Sequence, residues 1–320
     1  MGTEVERIAG PEALNKCGWS SSMNLTHPKA VKEAHRRYLN AGADVLITNT
    51  YGTNRHILTP AGLSARTEEN NRVAVELARE AIQEWRADGG DRGREPLLAG
   101  SVSIHAPGEE KAKMNGGSAW PAPEQEVANY AEQARLLIEN GVDLIFVELV
   151  WNMEHGRRAV EAVLSVSTVP VFIGVTVFND EIRLESHDVR DKHLKVEKFD
   201  IRVPKPWSED STPLVAAIKE FTDHSSVVGV NVMHTKVDLI PQCVSAIREA
   251  GWTGPIGAYP DSGVWLRDGW SESEITPELL AKYAEAWRVA GVNLVGGCCG
   301  IGPSHISALA AWARPEVNGH

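Results

Sequence analysis

Ala41-Gly42-Ala43-Asp44-Val45-Leu46-Ile47-Thr48-Asn49-Thr50 contains a helix ending, a glycine, and a short apolar run that stops in polar residues. The same phrase returns as Asn140-Gly141-Val142-Asp143-Leu144-Ile145-Phe146-Val147-Glu148 and as Ala290-Gly291-Val292-Asn293-Leu294-Val295-Gly296-Gly297. A glycine just past a helix takes the left-handed conformation that other residues resist. The aliphatic run after it is too short for a helix and suits a buried strand. A joint repeated three times is the corner of a repeating βα architecture, with a parallel sheet covered on both faces.

Working outward, seven strand candidates emerge, at 44–50, 97–103, 144–148, 171–177, 226–232, 255–259 and 292–297. Helical spacing covers 28–41, 67–86, 123–140, 153–166, 213–222, 239–250, 277–289 and 305–312. Pro at first turns and Gly past helix ends (Gly42, Gly141, Gly251, Gly291) agree with helix punctuation. No linker rich in Gly, Ser or Pro divides the chain. The pattern therefore predicts an α/β fold, a (β/α)8 TIM barrel forming one domain over 1–320, rather than a doubly wound sheet. Eight strands are required and seven are visible. The missing one is the first, because the chain opens Met1-Gly2-Thr3-Glu4 with no apolar run before it. Either the barrel is completed unusually or residues upstream of Met1 belong to the natural protein. The charged stretch 178–212 is too long for an ordinary βα loop and is expected to be a lid over the barrel mouth or a disordered insertion.

The chain has 320 residues, 42% hydrophobic and 23% charged, which is ample for a large core. Its net charge of -11 provides no basic footprint for nucleic acid or an anionic membrane surface. No apolar stretch approaches the roughly 18 residues that span a bilayer, and the start lacks a signal-peptide pattern. The expected compartment is cytoplasmic. Four cysteines, two of them adjacent, make a poor disulfide framework and fit a reducing environment.

At the ends of barrel strands, where such folds place chemistry, stands Gly296-Gly297-Cys298-Cys299-Gly300. Two neighbouring thiolates can hold one soft metal ion, since Zn–S distances of about 2.3 Å are reachable from adjacent residues in a sharp turn. Cys243, on the apolar face of a helix, is expected in the core, and Cys17 points to no particular role.

Met1-Gly2-Thr3-Glu4, Thr48-Asn49-Thr50-Tyr51, Gly229-Val230-Asn231, Tyr259-Pro260-Asp261-Ser262-Gly263 and Gly296-Gly297-Cys298-Cys299-Gly300 resemble, in order, the motifs of the homocysteine S-methyltransferase family. The resemblance covers nearly the whole chain. It implies a barrel enzyme in which zinc, held by three cysteines, presents the thiolate of homocysteine to an electrophilic methyl group. A metal-bound thiol is deprotonated at neutral pH yet stays nucleophilic. It also implies metal ligation by Cys298 and Cys299, and an amino-group anchor at Glu148.

Two departures from the family stand out. Val232 occupies the place of the first zinc cysteine, and valine cannot ligate. Two residues on, His234 shares its side of the strand but lies about 6.5 Å further along. A bend after Asn231 would bring it in as a Cys2His ligand, with His105 as a weaker substitute. The first strand's Asp-Gly-Gly phrase is also missing. Asn49, Thr50, Asn231 and Asp261 end strands and are candidates for binding a small polar substrate. Among the ten tryptophans, Trp120, Trp151, Trp207, Trp265 and Trp270 fall in predicted loops, where aromatic walls would suit a sulfonium donor. The expected partners are an amino-acid acceptor and a small-molecule methyl donor. The alternatives are a divergent barrel enzyme with altered or absent zinc, and a ligand-binding homologue without catalysis.

Overall fold

The computed structural model describes residues 1–10, 20–90, 93, 95–105, 120–177, 182–184, 211–262, 265–266, 269–270 and 275–314. Seven strands, β1 (Val45–Ile47), β2 (Leu97–Ser103), β3 (Leu144–Val150), β4 (Val171–Val175), β5 (Val227–Met233), β6 (Ile256–Tyr259) and β7 (Leu294–Val295), pair in chain order. Every pairing is parallel. Around them run α1 (Gly2–Ala9), α2 (Pro28–Asn40), α3 (Thr67–Ala87), α4 (Pro123–Glu139), α5 (Met153–Val166), α6 (Leu214–Phe221), α7 (Ile240–Glu249), α8 (Pro277–Ala290) and α9 (Pro303–Ala313). Sequential order with parallel pairing is the topology of the α/β barrel, with seven of its strands among the described residues.

The alternation of side chains divides two apolar layers. Ile145, Val147, Ile173, Val175, Val230 and Val232 join a large cluster with helix residues such as Val75, Leu137 and Val163. Ala99, Leu144 and Phe146, with Phe172 and Leu294 against them, form a separate cluster inside the sheet's curve. The inner rows continue upward into polar residues, and these build the site.

The helix ends follow the sequence closely. Gly42, Gly141, Gly251 and Gly291 all have positive φ. Thr276 caps α8 by accepting from the Leu279 amide. The strands at either edge are shorter than the sequence predicts. β1 stops at Ile47 because the Thr50 amide folds back onto the Thr48 carbonyl at 2.8 Å. β7 stops at Val295, where the glycine pair turns the chain. α9 begins at Pro303, two residues early, with proline in its first turn.

Among the described residues no eighth strand lies between β7 and β1. The segment carrying Gly2-Thr3-Glu4 is the helix α1, packed on α2. Side chains draw the two ends of the sheet together. Tyr38 donates to the Ile301 carbonyl at 3.3 Å, and Arg314 binds the Gly42 carbonyl and the Asp44 carboxylate. Most of the charged stretch 178–212, expected as a lid or a disordered insertion, lies outside the described residues. Its ends pair as Arg183–Leu184 against Thr212–Pro213.

Candidate active site

The inner row of β3 runs Leu144, Phe146, Glu148, so the carboxylate sits one layer above the apolar interior. It is 5% exposed. Ser101, on the inner row of β2, donates its hydroxyl to Glu148 Oε2, and the Tyr259 phenol donates to Oε1 at 3.0 Å. Burial pushes the Glu148 carboxyl up to about 7; the nearby Cys298 charge adds to this, while the two hydroxyl donors work against it. Asn231, fully buried beside Tyr259, has an amide with no partner of good hydrogen-bond geometry. A carboxylate, a phenol and an unsatisfied amide under one mouth form a cradle for a small polar group that carries both donors and acceptors.

Three loops meet beside this cradle and are braided by backbone hydrogen bonds. His234 N donates to Tyr259 O, Asp261 N to Thr235 O, and Cys298 N to Pro260 O at 2.8 Å. β5 stays regular through Met233, and the bend comes at His234, where φ is 44°. The sequence placed that bend after Asn231; the extra regular residues reflect the pairing of Val232 with Ala258 and of Met233 with Tyr259. Val232 is buried in the layer that faces the helices, on the other side of the strand from the cradle. The turn brings His234 Nδ1 to 3.5 Å from Cys298 Sγ and to 3.0 Å from Asp261 Oδ2. Cys298 Sγ and Cys299 Sγ are 3.8 Å apart.

His234, Cys298 and Cys299 form a group able to hold a metal ion, their donor atoms all within 4.8 Å of one another. Tetrahedral zinc with ordinary bond lengths needs S···S edges of about 3.8 Å and N···S edges of about 3.5 Å. Two edges of the triangle therefore already have the required length. The electrostatics drive only Cys298 toward the deprotonated form that ligates a soft metal. The hydrogen bond from Cys299 brings the Cys298 thiol down to about 5 against its burial, with the His234 charge helping. Cys299, bound to that thiolate and buried, is pushed up. Burial opposes charge on His234, but Cys298 and Asp261 outweigh it and raise the imidazole to about 10.

The sequence pattern of the family described as homocysteine S-methyltransferase matches residues 1–313. The chain belongs to the homocysteine S-methyltransferase family. A relative from Bacillus subtilis (strain 168), homocysteine S-methyltransferase YbgG, is 23% identical over 320 residues, covering 98% of this chain and 92% of its own. The crystal structure of the Escherichia coli homocysteine methyltransferase MmuM in its metallated form superposes with a TM-score of 0.69 at 23% identity. It covers 97% of this chain and 93% of the E. coli chain. The oxidized form gives 0.71 at 22% identity, with the same coverage. At that identity the likeness shows the fold.

Within this family frame, the candidates named from sequence fall into two sets. Glu148, Asn231, Asp261, His234, Cys298 and Cys299 gather at the mouth. Asn49 and Thr50 are taken up by a buried network: Asn49 bonds Ser20 and Asn24, and Thr50 bonds the Ser101 carbonyl and Thr48. Asp261 faces the His234 imidazole. His105 lies against the Tyr51 ring at 5.5 Å and is not part of the metal-holding group. Cys243 is core, while Cys17 and Trp207 lie outside the described residues. Trp120 is stacked on His155 at 3.6 Å and packed near His56, so both it and Trp151 are buried. Below Trp120, His155 and Arg158 bind the fully buried Glu126 at 2.7 and 2.8 Å. Sequence reasoning missed Ser101, Met233 and Tyr259 as site residues. Strand alternation was the available signal, since each lies an even number of residues from an inner-row position.

Proposed function

We propose that the chain transfers a methyl group from a sulfonium-type donor to the thiol of homocysteine or a closely related amino acid, with zinc held by Cys298, Cys299 and His234. The observation that supports this most directly is the donor triangle, whose 3.5 and 3.8 Å edges fit tetrahedral zinc although valine stands where the family has its first zinc cysteine. Bound zinc would supply an open position and lower the pKa of a thiol placed there. The protein's residues do the rest. Glu148, its oxygens oriented by two hydroxyls, accepts the acceptor's ammonium group, whose positive charge favours the carboxylate that burial alone disfavours. Asn231, whose amide leans on the Tyr259 phenol without a well-formed hydrogen bond, offers it to the polar end of the same molecule. Asp261 Oδ2 lies 3.0 Å from His234 Nδ1, the same nitrogen that would bind zinc, so ligation there would replace this contact. Free thiols suit a reducing compartment, and we place the protein in the cytosol as one barrel domain.

The experiment combines two readouts. Protein from zinc-supplemented culture, purified without chelator, is expected to carry near one zinc per chain and to form methionine from L-homocysteine with S-methyl-L-methionine or S-adenosyl-L-methionine. His234→Ala is expected to lose most of its zinc. Zinc that fails to bind on titration, together with no methionine from either donor, would overturn the proposal and favour a ligand-binding role.

A further inference from the structure

β3 carries an irregularity just where its carboxylate stands. Against β4, Val147 pairs with Ile173 and Val150 with Val175, so Glu148 and Leu149 together oppose the single residue Gly174. Two residues against one is a β-bulge. Leu149 takes φ 60°, which is costly for a branched side chain, and its amide loses its place in the ladder. That amide donates instead to the thioether sulfur of Met233, at 3.0 Å. The same sulfur lies 3.3 Å from the Tyr259 hydroxyl oxygen, whose proton goes to Glu148 Oε1 at 3.0 Å. Met233 is 2% exposed, so water cannot substitute for it. The arrangement needs Gly174: a Cβ there would stand 3.0 Å from the sulfur, 3.0 Å from the phenol oxygen and 3.2 Å from the Val147 carbonyl.

We infer that Met233 is a positioning residue for the amino-acid acceptor: its sulfur accepts from the Leu149 amide and so anchors the bulge, packs against the Tyr259 phenol, and thereby fixes where the Glu148 carboxylate points. This rests on Glu148 receiving the acceptor's ammonium group. Of the apolar side chains only methionine combines the reach with an acceptor atom; leucine of similar volume fills the space and accepts nothing. A buried, unsatisfied amide is costly, so without the sulfur the bulge relaxes toward other pairings and takes Glu148 with it.

Met233→Leu tests this. Amide exchange at Leu149 is expected to speed up by about tenfold, and the affinity for L-homocysteine to fall by about three- to tenfold, the scale of one lost hydrogen bond. Zinc content should be unchanged. Met233→Gln, which keeps an acceptor at similar reach, is expected to restore slow exchange at Leu149. With methyl-labelled methionine, the Met233 signal, one of five in the chain, should shift when L-homocysteine binds. Unchanged exchange at Leu149 in Met233→Leu would overturn the inference. So would unchanged homocysteine affinity in that variant while Glu148→Gln loses it. Should Glu148→Gln bind L-homocysteine as tightly as the native chain, the assignment of Glu148 itself fails. That failure is visible apart from the exchange result.

Discussion

Glu148 carries its proton to unusually high pH because burial disfavours the carboxylate, and this has a consequence for stability. A carboxyl whose pKa is raised on folding, here up to about 7, binds its proton more tightly in the folded chain. The stability it contributes is therefore present below the ordinary carboxylate range and is lost as pH rises through about 7. Glu148→Gln removes that dependence. Urea unfolding should show the variant gaining on the native chain by on the order of 3 kcal/mol between pH 4 and pH 8. A difference that stays constant over that interval would mean Glu148 ionises as it would in water. At this scale the sequence was legible where residue type is itself the chemistry. Adjacent cysteines between glycines, and a glutamate closing an aliphatic strand, announce themselves. Tyr259 and Met233 did not, because a tyrosine or methionine in a strand reads first as core. Their roles come from one oxygen and one sulfur reaching across to neighbouring strands.

Elements were legible through punctuation. Gly291 ends α8 at φ 103°, and the only atoms near a would-be Cβ are Arg248 side-chain nitrogens at 3.7 Å or more, an ordinary contact. Gly291→Ala should therefore cost only the backbone term, about 1 kcal/mol in urea unfolding. Gly174→Ala is a different case. Its backbone accepts any residue, but the new methyl meets sulfur, phenol and carbonyl at 3.0 to 3.2 Å. Overpacking of this kind costs about 1–3 kcal/mol, and the same measurement should rank Gly174→Ala as the more harmful of the two. The bulge that explains this contact was invisible in the sequence. Leu-Ile-Phe-Val-Glu-Leu-Val has no glycine or proline to mark it, and the extra residue shows only in the register with β4. The bend that brings in His234 was expected from the sequence, but its position was not legible, since a non-glycine residue at positive φ leaves no mark in the pattern.

For the whole molecule, the barrel was legible from repetition, whereas the way its ends meet was not, because long-range side-chain pairs do that work. Glu4 is 2% exposed and binds Arg7 at 2.5 Å and Arg37 at 3.0 Å, fastening α1 to α2. A Cβ on Gly302 would lie 3.3 Å from Arg7, so the fastening sits directly against the loop that follows Cys298 and Cys299. Tyr38, also on α2, reaches the carbonyl of Ile301 in that loop. The thiolate loop is thus supported from the side where the two ends of the sheet, β7 and β1, face each other. Glu4→Gln keeps the shape and removes the charge, leaving two arginines beside a neutral amide. The expected loss is about 1–3 kcal/mol, felt locally because Val5 of α1 belongs to a small apolar cluster with Met23, Val31 and Leu77, separate from the clusters that hold the strands. Hydrogen exchange should speed up across Gly2–Ala9 and at Cys299 to Ile301 while β3 and β4 keep their protection. Uniform loss of protection in all strands would show instead that α1 is part of the global folding unit, and unchanged exchange would show that the carboxylate does not hold the seam.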